Sequence, residues 1–135
     1  MVSSSSKKKN IIAQYNLGWL YRFGKGVSKN QVRAMELFLL SAEKGLLIAQ
    51  ASLGSMYRFG EGGKKDLVLA HMWTNIASMR GDYSSNRNTS LIEREMTDLQ
   101  ISHAKKLAVK CKFKEYIGCV SMLTGLPNND IKSHY

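Results

Sequence analysis

The chain has 135 residues, 44% hydrophobic and 22% charged, an ordinary globular composition that supports one domain or two small units sharing a core. Twenty Lys+Arg against ten Asp+Glu give +10 at pH 7, which favours acidic partners, anionic lipid or nucleic acid but says nothing about fold. One proline (Pro127), two cysteines and no apolar run approaching ~20 residues exclude collagen-like, disulfide-dense and transmembrane classes.

Met1–Asn10 is polar and cationic through Lys7, Lys8 and Lys9, and residues 1–12 read as a flexible basic tail. No apolar stretch of signal-peptide type follows, so the chain as written carries no such signal. That makes the cytoplasm the default location, with export the alternative if the start is truncated.

From Ala13 the sequence repeats itself. A 36-residue shift aligns Ala13–Gly45 with Ala49–Gly81 without a gap, and 13 of the 33 positions are identical. The spacing predicts two units, 13–48 and 49–84, each a pair of antiparallel helices. In the first helix Ala13, Leu17, Leu20, Tyr21 and Gly24 share one face of a 3.6-residue period. Gly18 and its equivalent Gly54 sit inside this helix, where glycine costs ~1 kcal/mol against alanine, so a close approach by a neighbouring helix is implied. Gly24-Lys25-Gly26 and Gly60-Glu61-Gly62 end the first helices, and Asn30 and Asp66 offer N-cap oxygens to the second. The second helices alternate small and large residues (Ala34, Leu37, Phe38, Ser41, Ala42, then Ala70, Trp73, Thr74, Ala77, Ser78) and stop at Gly45 and Gly81. One helix pair cannot cover its own apolar face, so the units must stack.

Residues 85–119 read as a capping hairpin over the last unit. Asp82–Asn88 opens a helix running toward Met96, and Thr97-Asp98-Leu99-Gln100 is a capping box, with Met96 and Ile101 forming a hydrophobic staple. Ile101, Ala104, Leu107, Ala108 and Cys111 then follow one helical face. In the tail, 120–135, Gly125, Pro127, Asn128 and Asn129 predict a turn.

The pattern Leu17-Gly18…Tyr21…Gly24-Lys25-Gly26-Val27, then Ala34…Leu37-Phe38…Ala42…Gly45, resembles the Sel-one-like repeat (SLR) family, a relative of the tetratricopeptide repeat. The second copy departs at Gly63 and Thr74, which implies a looser loop and thinner packing for its second helix. The resemblance implies an all-α fold: a right-handed superhelical α/α solenoid of Sel-one-like repeats with a C-terminal helical cap. The closing segment is similar to that of bacterial SLR proteins, which are often exported. For Cys111 and Cys119 the resemblance leaves two readings, a disulfide across the turn after the last helix, or a free Cys111 packed in the helix stripe.

Function then follows from the surface. Packing claims Leu17, Leu20 and Tyr21 and leaves Tyr15, Trp19 and Arg22 on other faces, matched in the second unit by Ala51, Ser55 and Arg58. In SLR-like solenoids the first helices line the concave side, so these positions are assigned to a partner groove. Trp19 is its aromatic anchor, and Arg22 and Arg58, one repeat apart, suit an acidic or C-terminal peptide. The competing assignment packs Trp19 under the N-terminal tail and spends both arginines in local ion pairs.

Other chemistries are weaker. Ser41-Ala42-Glu43-Lys44 and Ser102-His103-Ala104-Lys105 match the Ser-x-x-Lys of penicillin-binding and β-lactamase-like hydrolases, an activity described for some cysteine-rich SLR proteins. The supporting Ser-Asp-Asn and Lys-Thr-Gly elements are missing. His71, His103 and His134 have no metal-ligand spacing, and the Gly-x-Gly turns lack the Lys-Ser/Thr ending of a phosphate loop. Lys105, Lys106, Lys110, Lys112 and Lys114 make a basic surface open to nucleic acid or anionic lipid, without the interleaved aromatics of a nucleic-acid module. The sequence therefore predicts a non-catalytic bacterial interaction module for a protein or peptide partner, acidic in character. No cofactor or metal is expected, and self-association stays open.

Overall fold

The computed structural model describes residues 4–120, with side chains from Lys8 onward. Six helices follow one another: α1 (Ser4–Phe23), α2 (Gln31–Glu43), α3 (Leu47–Phe59), α4 (Leu67–Met79), α5 (Tyr83–Glu93) and α6 (Asp98–Phe113). The described residues contain no strand.

Local chemistry sets the helix ends. Asn30 Oδ1 accepts from the Arg33 amide at 3.0 Å and Asp66 Oδ1 from the Leu69 amide at 2.9 Å, as equivalent N-caps of α2 and α4. Asp82 caps α5 in the same way, and the Thr97–Gln100 capping box opens α6 with both reciprocal bonds formed. Gly60 ends α3 in the left-handed region, which a side chain rarely adopts.

α2 lies between α1 and α3, and α4 packs against α3, α5 and α6. The second helices are thus the spine of the stack. One continuous core runs from Ala34 and Phe38 through Leu53, Met56, Trp73 and Ile76 to Leu107, Cys111 and Cys119. Within each unit Gly18 and Gly54 bring the first helix against the second. A Cβ at Gly18 would lie 2.8 Å from the Phe38 ring, and one at Gly54 would collide with Thr74 Cγ2.

Three expectations need correction. Helix α1 starts at Ser4, so residues 4–12 continue the first helix where a flexible tail was expected. This stretch holds no glycine or proline, and its three lysines are good helix formers. Thr74 does not thin the packing of α4, whose residues 69–74 are all buried because α3, α5 and α6 surround it. Leu17 was assigned to packing, yet it is 37% exposed whereas its equivalent Leu53 is fully buried. Ala13 is exposed and Ala49 buried in the same way. The face bearing Ala49 and Leu53 is covered by the preceding second helix, α2, and within the described residues α1 has no second helix before it. The expected turn at Gly125–Asn129 and the residue His134 lie outside the described residues.

The structure joins Cys111 to Cys119, with their Cα atoms 5.2 Å apart and both residues buried. Closing so short a loop constrains the unfolded chain, and its loss is expected to cost about 2–3 kcal/mol. Urea unfolding of the oxidised protein against a Cys111→Ser/Cys119→Ser variant measures it. An unchanged midpoint would mean that the bond contributes nothing.

Candidate interaction surface

The first helices carry an exposed row. Ile12, Trp19 and Phe23 recur at i, i+7 and i+11 and so share one face of α1, with Ile48, Ser55 and Phe59 at the equivalent positions of α3. All the large members of this row are exposed, Trp19 at 41% and Phe59 at 65%. Trp19 and Phe23 pack ring to ring at 5.0 Å, so they form one aromatic platform. On α1 the Ala13–Leu17 face, about a third of a turn round from this row, is uncovered as well, so α1 exposes apolar side chains that their α3 equivalents bury.

The two arginines have other work. Arg22 Nε is 2.8 Å from Glu61 Oε2 and its Nη2 is 3.1 Å from Oε1, a two-point pair joining the end of α1 to the loop after α3. One unit further on, Arg58 Nε reaches Glu95 Oε2 at 3.2 Å, and Lys65 reaches the other oxygen at 3.4 Å. Each guanidinium also lies 5.0 Å from the following phenylalanine ring, Phe23 or Phe59. Arg22 is therefore a staple between the two units and Arg58 one between the second unit and the cap, the ion-pair alternative for both arginines. Tyr15 is half-buried and stacks on Phe38 at 5.2 Å, inside the unit. Ser55 is half-buried in α3. Of the residues assigned to the groove, Trp19 alone combines a large apolar side chain with exposure.

Sequence reasoning passed over the partners of these arginines, Glu61 and Glu95, and a second pair of links. Lys44 donates to Gln14 Oε1 at 3.2 Å, and Arg80 donates to Gln50 Oε1 at 2.9 Å and to the Gly45 carbonyl at 2.7 Å. The signal was present: Gln14 and Gln50 are identical across the copies, and both are followed at the same distance by a cation.

The Arg58 hydrogen bond, with Lys65 beside it, holds the Glu95 carboxyl below the usual glutamate range. A lowered folded-state value means stability that is complete above the ordinary glutamate range and lost as pH falls through the lowered one. Glu95→Gln is thus expected to flatten the acid limb of stability as pH falls through and below the ordinary glutamate range, read by urea midpoints. An unaltered acid limb would remove Glu95 from the account. Burial pushes the Tyr57 phenol well above its ordinary value, with Asp66 and Glu43 adding to the shift.

The hydrolase motif is not assembled as chemistry. Ser41 is buried, with its hydroxyl donating to the Leu37 and Ile11 carbonyls, while Lys44 is engaged with Gln14. His71 is also buried, its Nε2 2.8 Å from Glu93 Oε1, tying α4 to α5. Among the described residues no cluster of His, Cys, Asp and Glu is placed to hold a metal, and no helix is long and apolar enough to cross a membrane.

The Sel1 repeat matches twice, over residues 11–46 and 47–82, which covers both helix pairs. No curated protein matches the chain. Among solved structures, the chain is similar to c5321, a protective antigen present in uropathogenic Escherichia coli strains and displaying an SLR fold. The two share 30% identity with a TM-score of 0.75, over 87% of this chain and 25% of that one. It is also similar to a Sel1 repeat protein from Oxalobacter formigenes, at 34% identity and a TM-score of 0.57, over 59% of this chain and 60% of that one. The chain thus spans a quarter of the first relative and three fifths of the second. Sel1 repeat proteins are generally protein–protein interaction modules and generally non-catalytic. Two repeat matches, the helical-pair architecture and both structural likenesses place this chain in the Sel1 repeat family.

Proposed function

We propose that this chain is a non-catalytic interaction module that takes a protein partner on the exposed face of α1 and α3. The observation that carries the reading is the Trp19–Phe23 platform, continued along the same face of α1 by Ile12. Exposed large apolar groups in a contiguous patch mark interaction sites, and aromatic anchors dominate such interfaces. The partner contributes an apolar segment to this platform. Acidity in the partner has less support, because Arg22 and Arg58 already have their carboxylates within the chain.

The test is affinity capture from the native host with mass spectrometry, run in parallel for the wild type and a Trp19→Ala/Phe23→Ala variant. A partner held by the wild type is expected to bind the variant at least ~10-fold more weakly, with far-UV helicity unchanged. Equal capture by both folded proteins would overturn the assignment. Arg22→Glu provides the contrast. It is expected to loosen the junction to Glu61 and lower the unfolding midpoint, with a smaller effect on capture than the aromatic variant.

A further inference from the structure

The cap carries a second, chemically different surface. One face of α6 is buried through Ala104, Leu107, Ala108 and Cys111, packed toward α4. The opposite face is solvent-exposed along its whole length, and it is not simply polar. Leu99, Lys106 and Phe113 recur at i, i+7 and i+14 and run along its crest for about 21 Å. Leu99 is 81% exposed and Phe113 is 85% exposed. Lys105 and Lys112 flank the crest on one side and Lys110 on the other. Among the described residues none of these lysines has an ion-pair partner.

The disulfide shapes the end of this surface. Between Cys111 and Cys119 the chain holds three large apolar or aromatic residues, and the loop sorts them. Glu115 and Tyr116 adopt positive φ values of 53° and 71°, a conformation rare for residues with side chains. The turn they make sends Tyr116 inward, against the core and under the Arg80 guanidinium at 5.6 Å. Phe113, between Lys112 and Lys114 in the chain, is left outward, and Ile117, three residues past Lys114, is half exposed as well. A clasped loop that hides one aromatic, presents Phe113 between two lysines and leaves Ile117 exposed has the chemistry of an interfacial insertion element.

We propose that the α6 crest and the Cys111–Cys119 loop dock this protein on an anionic phospholipid surface. Phe113, Ile117 and Leu99 enter the headgroup–acyl boundary, and the lysines meet lipid phosphates. The lysines alone suit any polyanion. The aliphatic and aromatic crest among them decides for a bilayer, since a nucleic-acid backbone offers Leu99 and Ile117 nothing apolar to enter. This surface is separate from the α1–α3 platform, so the two proposals stand or fall independently.

The test is co-sedimentation of the full, oxidised chain with vesicles of 3:1 phosphatidylcholine:phosphatidylglycerol and of phosphatidylcholine alone, at low and high salt. Binding is expected to the anionic vesicles only and to weaken as salt rises. A Phe113→Ser/Ile117→Ser variant and, separately, a Lys106→Gln/Lys110→Gln/Lys112→Gln variant are each expected to lower partitioning at least ~10-fold. All these positions are exposed, so far-UV circular dichroism and unfolding midpoints should match the wild type. Equal binding to neutral vesicles, no binding to either, or binding that depends on the lysines but not on Phe113 and Ile117 would each overturn the proposal. Tighter binding to single-stranded RNA than to the anionic vesicles at matched salt would overturn it in favour of nucleic acid.

Discussion

Leu53→Ala is expected to destabilise the protein by about 2–5 kcal/mol, while the same substitution at Leu17 is expected to cost less than about 1 kcal/mol. The two leucines occupy the same position of the repeat and carry identical neighbours in Gly, Tyr and Arg at the following shared positions. Leu53 is fully enclosed, and truncation leaves a cavity among Phe38, Met56 and the α2 side chains that the rigid stack cannot refill. Leu17 faces solvent on one side, so its truncation removes partial burial and opens no enclosed void. Urea unfolding of the two single variants gives the comparison directly. Equal losses would show that another molecule covers the α1 face in solution.

Gly54→Ala is expected to cost about 1–3 kcal/mol, even though alanine is the better helix former by about 1 kcal/mol. The added methyl would collide with Thr74 Cγ2, with the Thr74 amide nitrogen 3.3 Å and the Ala70 carbonyl 3.4 Å away. Thr74 cannot step aside, because its hydroxyl donates to the Ala70 carbonyl at 2.9 Å and its β-branched side chain is stiff. At Gly18 the overlap is smaller, with the edge of the Phe38 ring at 2.8 Å and Leu37 Cβ at 3.2 Å, so Gly18→Ala is expected to be milder. Thermal or chemical unfolding separates the two. A stabilised Gly54→Ala protein would mean that α3 and α4 sit further apart than this packing requires.

Much of this architecture was legible in residue order. The caps at Asn30, Asp66 and Thr97 depend on a side chain and an amide three positions away, so they are written locally and the structure forms them as read. The glycines inside α1 and α3 announced a close helix pair for the same reason: helix interiors tolerate glycine only where backbone approach requires it. The start of α1 was misjudged because a polar, lysine-rich segment without apolar periodicity reads as tail, although its residues are competent helix formers once α1 is nucleated behind them.

The candidate surface was less legible. Trp19 was identified from its place off the packing face, and it is exposed. Arg22 and Arg58 looked equally free, and what binds them lies 39 and 37 residues away in the chain, at Glu61 and Glu95. Nothing in the 36-residue repeat marks those glutamates, because Glu61 stands where the first unit has Lys25 and Glu95 belongs to the cap.

The sequence by itself determined the number of repeated helix pairs, their capping and their obligation to stack. Those properties follow from hydrophobic period, glycine placement and side-chain oxygens acting within one or two turns. Tertiary structure alone decided which copy of an identical residue is buried, which arginines are already paired, and which way Tyr116, Phe113 and Ile117 turn around the disulfide. Burial and charge pairing are properties of what lies opposite a side chain. In a solenoid that neighbour comes from the adjoining unit, so Leu17 and Leu53 can share one position of the repeat and still meet different surroundings.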